Sequence, residues 1–132
     1  MIVYVETSAA AKLLKRGPES AAVREFIARL IDDEHLVVTG RMLETELRRL
    51  AVRQGIDQEK ASEILDLLDV LEHDRSQFRQ AGTIGGDQVR SLDALHLAAA
   101  LRVGADAMIT FDERLKRACE LVGLPVLSVA GA

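Results

Sequence analysis

Aromatic residues are scarce in this chain of 132 residues, which has three Phe, one Tyr and no Trp. A hydrophobic core must therefore be built from Leu, Val, Ile and Ala side chains. Proteins that bind single-stranded nucleic acid without sequence preference stack the bases on aromatic rings. The shortage of such rings argues against that mode of binding.

Cysteine is almost absent, since Cys119 is the only one. An intrachain disulfide is therefore impossible, and a reducing, cytoplasmic location is the expectation. No apolar run approaches the length of about 18 residues that a membrane span requires, so we expect no membrane association. Residues 1–6 have neither a basic leader nor a small-residue cleavage pattern, so no signal peptide is predicted.

An excess of basic charge is also missing, because 17 Lys and Arg residues face 21 Asp and Glu residues and the net charge is −4. Proteins that bind nucleic acids through their overall charge are basic. If this chain acts on RNA or DNA, a metal ion or a local basic patch must offset the acidity. Most basic side chains are interpreted as solvated surface; the candidates for phosphate contacts are Lys12, Lys15, Arg16, Arg48, Arg49, Arg53 and Arg90.

Short apolar segments alternate with helical ones along the chain. Strands are predicted at residues 2–5, 35–39, 69–73, 106–110 and 123–129, with one or two helices between most of them. The strongest strands are continuous apolar runs, as expected where helices cover both faces of a parallel sheet. The length suits a single domain over residues 1–132, and the pattern predicts a parallel α/β sandwich.

Helix-capping residues mark several predicted helix starts. Thr7 or Ser8 is expected to cap the first helix, which continues to about Lys15. Ser91 is expected to cap the strongly apolar helix that ends near Val103.

Carboxylates follow two of the predicted strands. Glu6 comes at the carboxyl end of the first strand, and Asp112 lies just past the fourth. Asp93 lies in the first turn of the helix that leads into the fourth strand, and Glu46 borders the core-facing stripe of the helix over residues 42–53. Ligands of such folds bind beyond the carboxyl ends of the strands, so we expect these four acids to lie close together.

Clustered carboxylates repel one another unless they hold a cation. Without Cys or His residues at zinc-ligand spacing, oxygen ligands favour Mg²⁺ or Mn²⁺. His96, three residues after Asp93, is interpreted as a hydrogen-bonded core histidine. Each acid also has an ordinary structural explanation, because Asp93 and Asp112 suit helix N-termini, Glu46 can pair with a nearby arginine, and Glu6 can reach solvent.

Four segments resemble PIN-domain ribonucleases, and more closely the VapC-type toxins of bacterial and archaeal toxin–antitoxin pairs. They are IVYVETSAAAKLL, LETELRRL, RSLDALHLAAAL and ITFDERLKRACELVGLPVL, and in this order they cover nearly the whole chain. The resemblance implies a PIN-like three-layer α/β/α sandwich with a four- to five-stranded parallel sheet in the order 3-2-1-4-5. In that order the reversal lies between the first and fourth strands, which end at Glu6 and Asp112.

Two sets of residues match the site that this resemblance implies. The catalytic and metal-binding acids fall on Glu6, Glu46, Asp93 and Asp112. The hydroxyl side chains beside them are Thr7, Ser8 and Thr110. The resemblance implies an endoribonuclease that depends on Mg²⁺ or Mn²⁺ and cleaves structured RNA such as tRNA or rRNA. The implied partner is a cognate VapB-type antitoxin, in a homodimer or a toxin–antitoxin hetero-oligomer.

Position 6 departs from the family pattern, which has Asp where this chain has Glu6. The change keeps the charge and adds one methylene, about 1.5 Å of reach. Because Mg²⁺ demands near-ideal octahedral geometry, we expect attenuated cleavage. The alternative is a catalytically weak or inactive PIN-like module that binds antitoxin or RNA. Glu6 is interpreted either as a natural variant or as a substitution that lets a toxic nuclease be expressed.

Overall fold

Four parallel strands form the central sheet of the computed structural model, which describes residues 1–132. In chain order, the strands are β1 (Ile2–Val5), β2 (Leu36–Gly40), β3 (Asp69–Leu71) and β4 (Ala107–Ile109). Their order across the sheet is β3-β2-β1-β4, with Val3 of β1 opposite both Val37 of β2 and Ala107 of β4. The predicted parallel sheet and its order are therefore confirmed for these four strands.

The fifth predicted strand is reduced to a single bridge. Val126 pairs with Met108 of β4, and two hydrogen bonds of 2.9 Å run from the Met108 amide to the Pro125 carbonyl and from the Leu127 amide to the Met108 carbonyl. Proline has no N–H to donate to a ladder. The final segment therefore follows the edge of β4 without forming a full strand.

Seven helices accompany the sheet. They are α1 (Thr7–Ala11), α2 (Pro18–Asp32), α3 (Met42–Gln54), α4 (Gln58–Leu67), α5 (Arg75–Ala81), α6 (Ser91–Val103) and α7 (Glu113–Leu121). Among them, none combines the length and the apolar character that a membrane span requires.

Strand β1 is buried on both faces, because successive side chains of a strand point to opposite sides. Val3 and Val5 belong to one apolar core, which α1, α2, α3 and α4 cover. Tyr4 belongs to the other core, beneath α6 and α7. The sheet is thus the middle of three layers.

Two helices begin differently from the prediction. Glu6, rather than Thr7 or Ser8, is the N-cap of α1, and its carboxylate accepts a hydrogen bond from the Ser8 amide. Arg90 occupies the N-cap position of α6 without a side-chain hydrogen bond, and Ser91 is the first residue inside that helix. At α1 the carboxylate of Glu6 takes the amide that a Thr or Ser hydroxyl was expected to take.

Helix α1 is also shorter than predicted, since it ends at Ala11 instead of near Lys15. The next amides, those of Lys12, Leu13 and Leu14, each bond to the carbonyl three residues earlier. This tighter winding buries both leucines in the core. Tertiary packing therefore overrides the helical pattern of the sequence at this point.

The packing of α7 can be tested with two leucines of the same helix. Leu115 is fully buried, whereas Leu121 is 72% exposed. We expect Leu115→Ala to lower the free energy of unfolding by about 2–4 kcal/mol, because the truncation leaves a cavity in the core. Leu121→Ala should change it by less than about 0.5 kcal/mol. Urea unfolding measures both, and equal effects would contradict the described orientation of α7.

Candidate active site

The four predicted site acids lie at one edge of the sheet, beyond the carboxyl ends of β1 and β4. Glu6 follows β1 directly, and Asp112 lies after β4 at the start of α7. Asp93 stands in the first turn of α6, and Glu46 lies one turn into α3. Glu6 is only 3% exposed, and the other three side chains are half-buried.

Glu6 is held by hydrogen bonds from two directions. Its Oε1 accepts the hydroxyl groups of Ser8 and Thr110, at 2.6 and 2.5 Å, and its Oε2 accepts the Ser8 amide at 3.1 Å. The Ser8 hydroxyl in turn accepts the Phe111 amide at 2.7 Å. Both carboxylate oxygens are therefore engaged, and the charge ties the end of β1 to the segment after β4.

Asp112 caps α7, as the sequence indicated. Its Oδ1 accepts the amides of Arg114 and Leu115, at 2.9 and 3.1 Å, and its own amide donates to the Thr110 hydroxyl at 3.1 Å. Its Oδ2 accepts no hydrogen bond from the chain. Capping and a role in the site are therefore compatible, because the cap uses only one of the two oxygens.

Asp93 accepts no hydrogen bond from any part of the chain. Burial raises the pKa of Asp93 to about 6, and the negative charges of Asp112, Glu6 and Glu46 act in the same direction, while His96 opposes them. The ordinary value for an aspartate is about 4. Because the other three acids all act on Asp93, the four carboxylates share one electrostatic environment, which is the arrangement that the strand-end rule predicts.

Glu46 is held by Thr7 and His96. Its Oε1 lies 2.8 Å from the Thr7 hydroxyl and 2.7 Å from His96 Nε2, while its Oε2 accepts no hydrogen bond from the chain. His96 is fully buried, and its Nδ1 lies 2.6 Å from the Tyr4 hydroxyl. The interpretation of His96 as a hydrogen-bonded core residue is confirmed, and the structure adds that one of its partners is a site acid.

Tyr4 and His96 are the residues near the site to which the sequence analysis assigned no part in it. Tyr4 is hidden in a continuous apolar strand, although a buried tyrosine hydroxyl needs a partner. His96 follows Asp93 by about one helical turn, which places both on neighbouring parts of one face. These signals suggest a polar contact but do not reveal that Glu46, far away in the sequence, completes it.

A divalent cation suits these side chains by charge and by donor type. Carboxylate oxygens are the ligands that Mg²⁺ and Mn²⁺ prefer, and a bound cation relieves the repulsion between the acids. Asp93, Glu46 and Asp112 each keep an oxygen that no donor of the chain occupies. As placed, no three His, Cys, Asp or Glu side chains surround a common point that could hold a metal ion. The fit therefore rests on the chemistry of the donors.

Comparison with known proteins identifies the family. A sequence profile described as the PIN domain matches residues 3–121. This chain belongs to the PIN-domain family. Its curated relatives include Ribonuclease VapC47 of Mycobacterium tuberculosis, which is 35% identical over 131 residues, with 96% of each chain covered. The predicted membership in the VapC-type PIN ribonucleases is therefore confirmed.

Two solved structures share the fold of this PIN domain. The Mycobacterium tuberculosis toxin VapC20, described as cleaving the sarcin-ricin loop, matches with a TM-score of 0.69 at 18% identity, over 88% of this chain and 94% of that one. The VapBC2 structure from Rickettsia felis, bound to a DNA fragment from its promoter, matches with a TM-score of 0.72 at 16% identity, over 96% and 98% of the two chains. At such identities the likeness concerns the fold, and it confirms the PIN-like α/β sandwich.

The cost of ionising Asp93, which comes first from its burial and then from the neighbouring acids, can be tested by replacing it in the metal-free PIN domain. The pKa of Asp93 is raised to about 6 in the folded state, so its ionisation costs stability as the pH rises from about 4 to about 6. We expect Asp93→Asn to increase the free energy of unfolding at pH 8 by about 1–2 kcal/mol, after allowance for solvent screening. At pH 3 the two proteins should have equal stability.

Urea unfolding in EDTA at both pH values measures this difference. Asp87→Asn is the matched control, because it removes the same charge from an exposed loop position. A gain in stability that is the same at pH 3 and pH 8, or the same in both variants, would contradict the raised pKa of Asp93.

Proposed function

We propose that this PIN domain, over residues 1–132, is a metal-dependent endoribonuclease and the toxin of a VapBC-type toxin–antitoxin pair. The supporting observation is the half-buried cluster of four acids at the open edge of the sheet, in which one aspartate lacks any hydrogen-bond donor. Such a cluster lowers the stability of the fold when no cation is bound, because the acids repel one another, and a bound cation would relieve this repulsion. The curated relatives named as VapC ribonucleases support the reaction class.

Glu6, Glu46, Asp93 and Asp112 are the proposed ligands, with Mg²⁺ or Mn²⁺ as the cation. When bound, the cation supplies positive charge that acidifies water and offsets the charge developing on the scissile phosphate. It also neutralises the acids, so that a polyanionic RNA can approach an acidic protein.

The side chains of the chain itself orient and transfer protons. Asp93 and Glu46 each have an oxygen outside the hydrogen-bond network, so either can accept the proton of the attacking water. Thr7 fixes the other oxygen of Glu46. Ser8 and Thr110 hold Glu6. These hydroxyl groups therefore position the acids without taking part in the reaction.

A groove that contains basic side chains of the segment after α1 is the proposed binding surface for the RNA backbone. The groove has a volume of about 590 Å³ and is lined by Lys12, Lys15 and Arg16. Lys12 lies 4.5 Å from the ring centre of Phe111, the residue before Asp112, and pairs with Glu19. Lys15 and Arg16 are exposed and form no ion pair. Two basic side chains without an ion-pair partner thus lie in this groove, where phosphates that flank the cleaved bond can bind.

The proposed substrate is a structured RNA such as a tRNA or rRNA, and the proposed partner is a cognate VapB-type antitoxin. VapC20, which shares the fold, is described as a toxin that cleaves the sarcin-ricin loop, and VapBC2 is a complex of this kind. We propose a homodimer or a toxin–antitoxin hetero-oligomer in the cytoplasm as the working form.

A second candidate is a catalytically weak or inactive module that binds antitoxin or RNA. The observation in its favour is Glu6, whose two oxygens already accept three hydrogen bonds from Ser8 and Thr110. A carboxylate engaged in this way is a poorer metal ligand, because those bonds must rearrange before it can reach the cation.

The reaction and the effect of Glu6 can be tested together on total cellular RNA with Mg²⁺ or Mn²⁺. We expect Glu6→Asp to cleave specific RNAs at least about tenfold faster than the parent chain, because the shorter side chain restores the ligand position of the family. Adding Asp93→Asn to Glu6→Asp should abolish cleavage, since it removes an acid of the cluster.

Circular dichroism and metal titration serve as controls for folding and for cation binding. If neither the parent chain nor Glu6→Asp cleaves any RNA while both are folded and bind the cation, the nuclease proposal is wrong. The binding module then becomes the better account.

The basic groove can be tested on the RNA that is cleaved. We expect Lys15→Ala combined with Arg16→Ala to raise KM about five- to tenfold and to leave kcat nearly unchanged, because phosphate contacts bind substrate and transition state alike. The dependence of affinity on salt should also weaken. The matched control is Arg29→Ala with Arg75→Ala, which removes the same charge from exposed positions on α2 and α5. Equal effects in both double variants would contradict a local binding surface.

A further inference from the structure

A continuous chain of hydrogen bonds runs from the sheet to one of the site acids. The Gly40 amide at the end of β2 donates to the Tyr4 hydroxyl of β1 at 2.9 Å. The Tyr4 hydroxyl lies 2.6 Å from Nδ1 of His96 on α6, and Nε2 of His96 lies 2.7 Å from Oε1 of Glu46 on α3. These hydrogen bonds therefore link two strands and two helices that come from distant parts of the sequence.

The direction of the protons in this series of hydrogen bonds follows from its last acceptor. A carboxylate oxygen can only accept a hydrogen bond, so Nε2 of His96, which lies 2.7 Å from Oε1 of Glu46, carries a proton and donates it to Glu46. In a neutral imidazole, Nδ1 is then an acceptor. The Tyr4 hydroxyl, whose pKa burial raises, therefore donates its proton to Nδ1 of His96.

The two oxygens of Glu46 are consequently not equivalent. Oε1 accepts both His96 Nε2–H and the Thr7 hydroxyl. Oε2 accepts no hydrogen bond from the chain, so it is the oxygen available to a cation or to water. A carboxylate held at one oxygen by two donors has little freedom to rotate, which is how residues behind a metal ligand orient it.

The residues that form these hydrogen bonds are tightly packed. His96 and Tyr4 are both fully buried. A Cβ atom at Gly40 would lie 2.7 Å from the Tyr4 hydroxyl oxygen and 2.8 Å from the ring of His73. A glycine is therefore required where the Tyr4 hydroxyl meets β2. Within such a dry environment, hydrogen bonds are stronger than in water and broken ones are costly.

We propose that His96 is a positioning residue for Glu46, and that Tyr4, by donating to Nδ1, stabilises the imidazole tautomer that this task requires. This inference rests on the proposed function in one respect, because it takes Glu46 as a ligand of the cation. The Tyr4–His96–Glu46 relay is already complete without the cation, so part of the test needs neither metal nor RNA.

Two substitutions at position 96 each keep one of the two hydrogen bonds that His96 forms, with Glu46 or with Tyr4. The amide nitrogen of Gln can take the place of Nε2 and donate to Glu46, whereas the amide oxygen of Asn can take the place of Nδ1 and accept from Tyr4. We expect His96→Asn to lose about 10- to 100-fold in Mn²⁺ affinity, with a comparable fall in kcat and little change in KM for RNA. His96→Gln should retain most of the Mn²⁺ affinity.

Calorimetric titration with Mn²⁺ measures this contrast, and thermal unfolding reports how far each variant loses stability. His35→Asn is the control, since His35 contacts the chain terminus instead of the site. If the two variants at position 96 lose stability equally and lose Mn²⁺ affinity equally, His96 is a structural residue and the proposal is wrong.

A double-variant comparison tests whether His96 acts through Glu46. In a Glu46→Ala background, adding His96→Asn should cause no further loss of Mn²⁺ affinity, because the group that His96 positions is gone. Losses that multiply would show that the two residues act independently and would overturn the proposal.

The tautomer provides a readout that depends on neither metal nor catalysis. Nitrogen NMR of the metal-free protein should show His96 protonated on Nε2, and Tyr4→Phe should shift it toward a mixture of tautomers. A proton on Nδ1 in the parent chain would overturn the relay. If RNA is never cleaved but the tautomer and the Mn²⁺ contrast are as expected, the proposed function fails while the positioning role stands.

Discussion

This PIN domain must compensate the negative charge of acids that are partly or fully buried, and the rest of the site depends on how it does so. Four acids lie at one sheet edge, and a buried charge is costly unless donors or a cation compensate it. Glu6 accepts hydrogen bonds from hydroxyl groups, Asp112 from the first amides of a helix, and Glu46 from an imidazole and a hydroxyl. Asp93 accepts no hydrogen bond, and its pKa is raised to about 6. The cost of burial and of repulsion thus falls largely on Asp93, and a bound cation would relieve it.

In two of the acids, one carboxylate oxygen has a structural role and the other is free for the proposed catalytic role. Asp112 caps α7 with Oδ1 and Glu46 is held through Oε1, so each keeps its second oxygen for the site. Glu6 does not follow this division, since both of its oxygens are bonded within the chain. Its carboxylate also caps α1. This difference is the physical basis for expecting weaker catalysis from this chain than from one with aspartate at position 6.

The fold could be predicted where local pattern and global packing agree. Continuous apolar strands separated by helices indicate a parallel sheet with both faces covered, and the resemblance to PIN domains supplied the strand order. Prediction was wrong where non-local contacts or backbone chemistry decide. The segment after Gly123 reads as a strand, but Pro125 cannot donate to a ladder and only one bridge forms. Helix α1 reads as extending to Lys15, but burial of two leucines tightens the chain after Ala11.

Residue types and their positions after strands were enough to locate the acids, because the carboxyl ends of parallel strands meet at the same edge. Partners could not be located in this way. Tyr4, His96 and Glu46 are separated by dozens of residues, and nothing local to any of them names the other two. Their hydrogen bonds exist because β1, α3 and α6 pack together, so only the tertiary structure decides which oxygen of Glu46 is held and which one is left for the site.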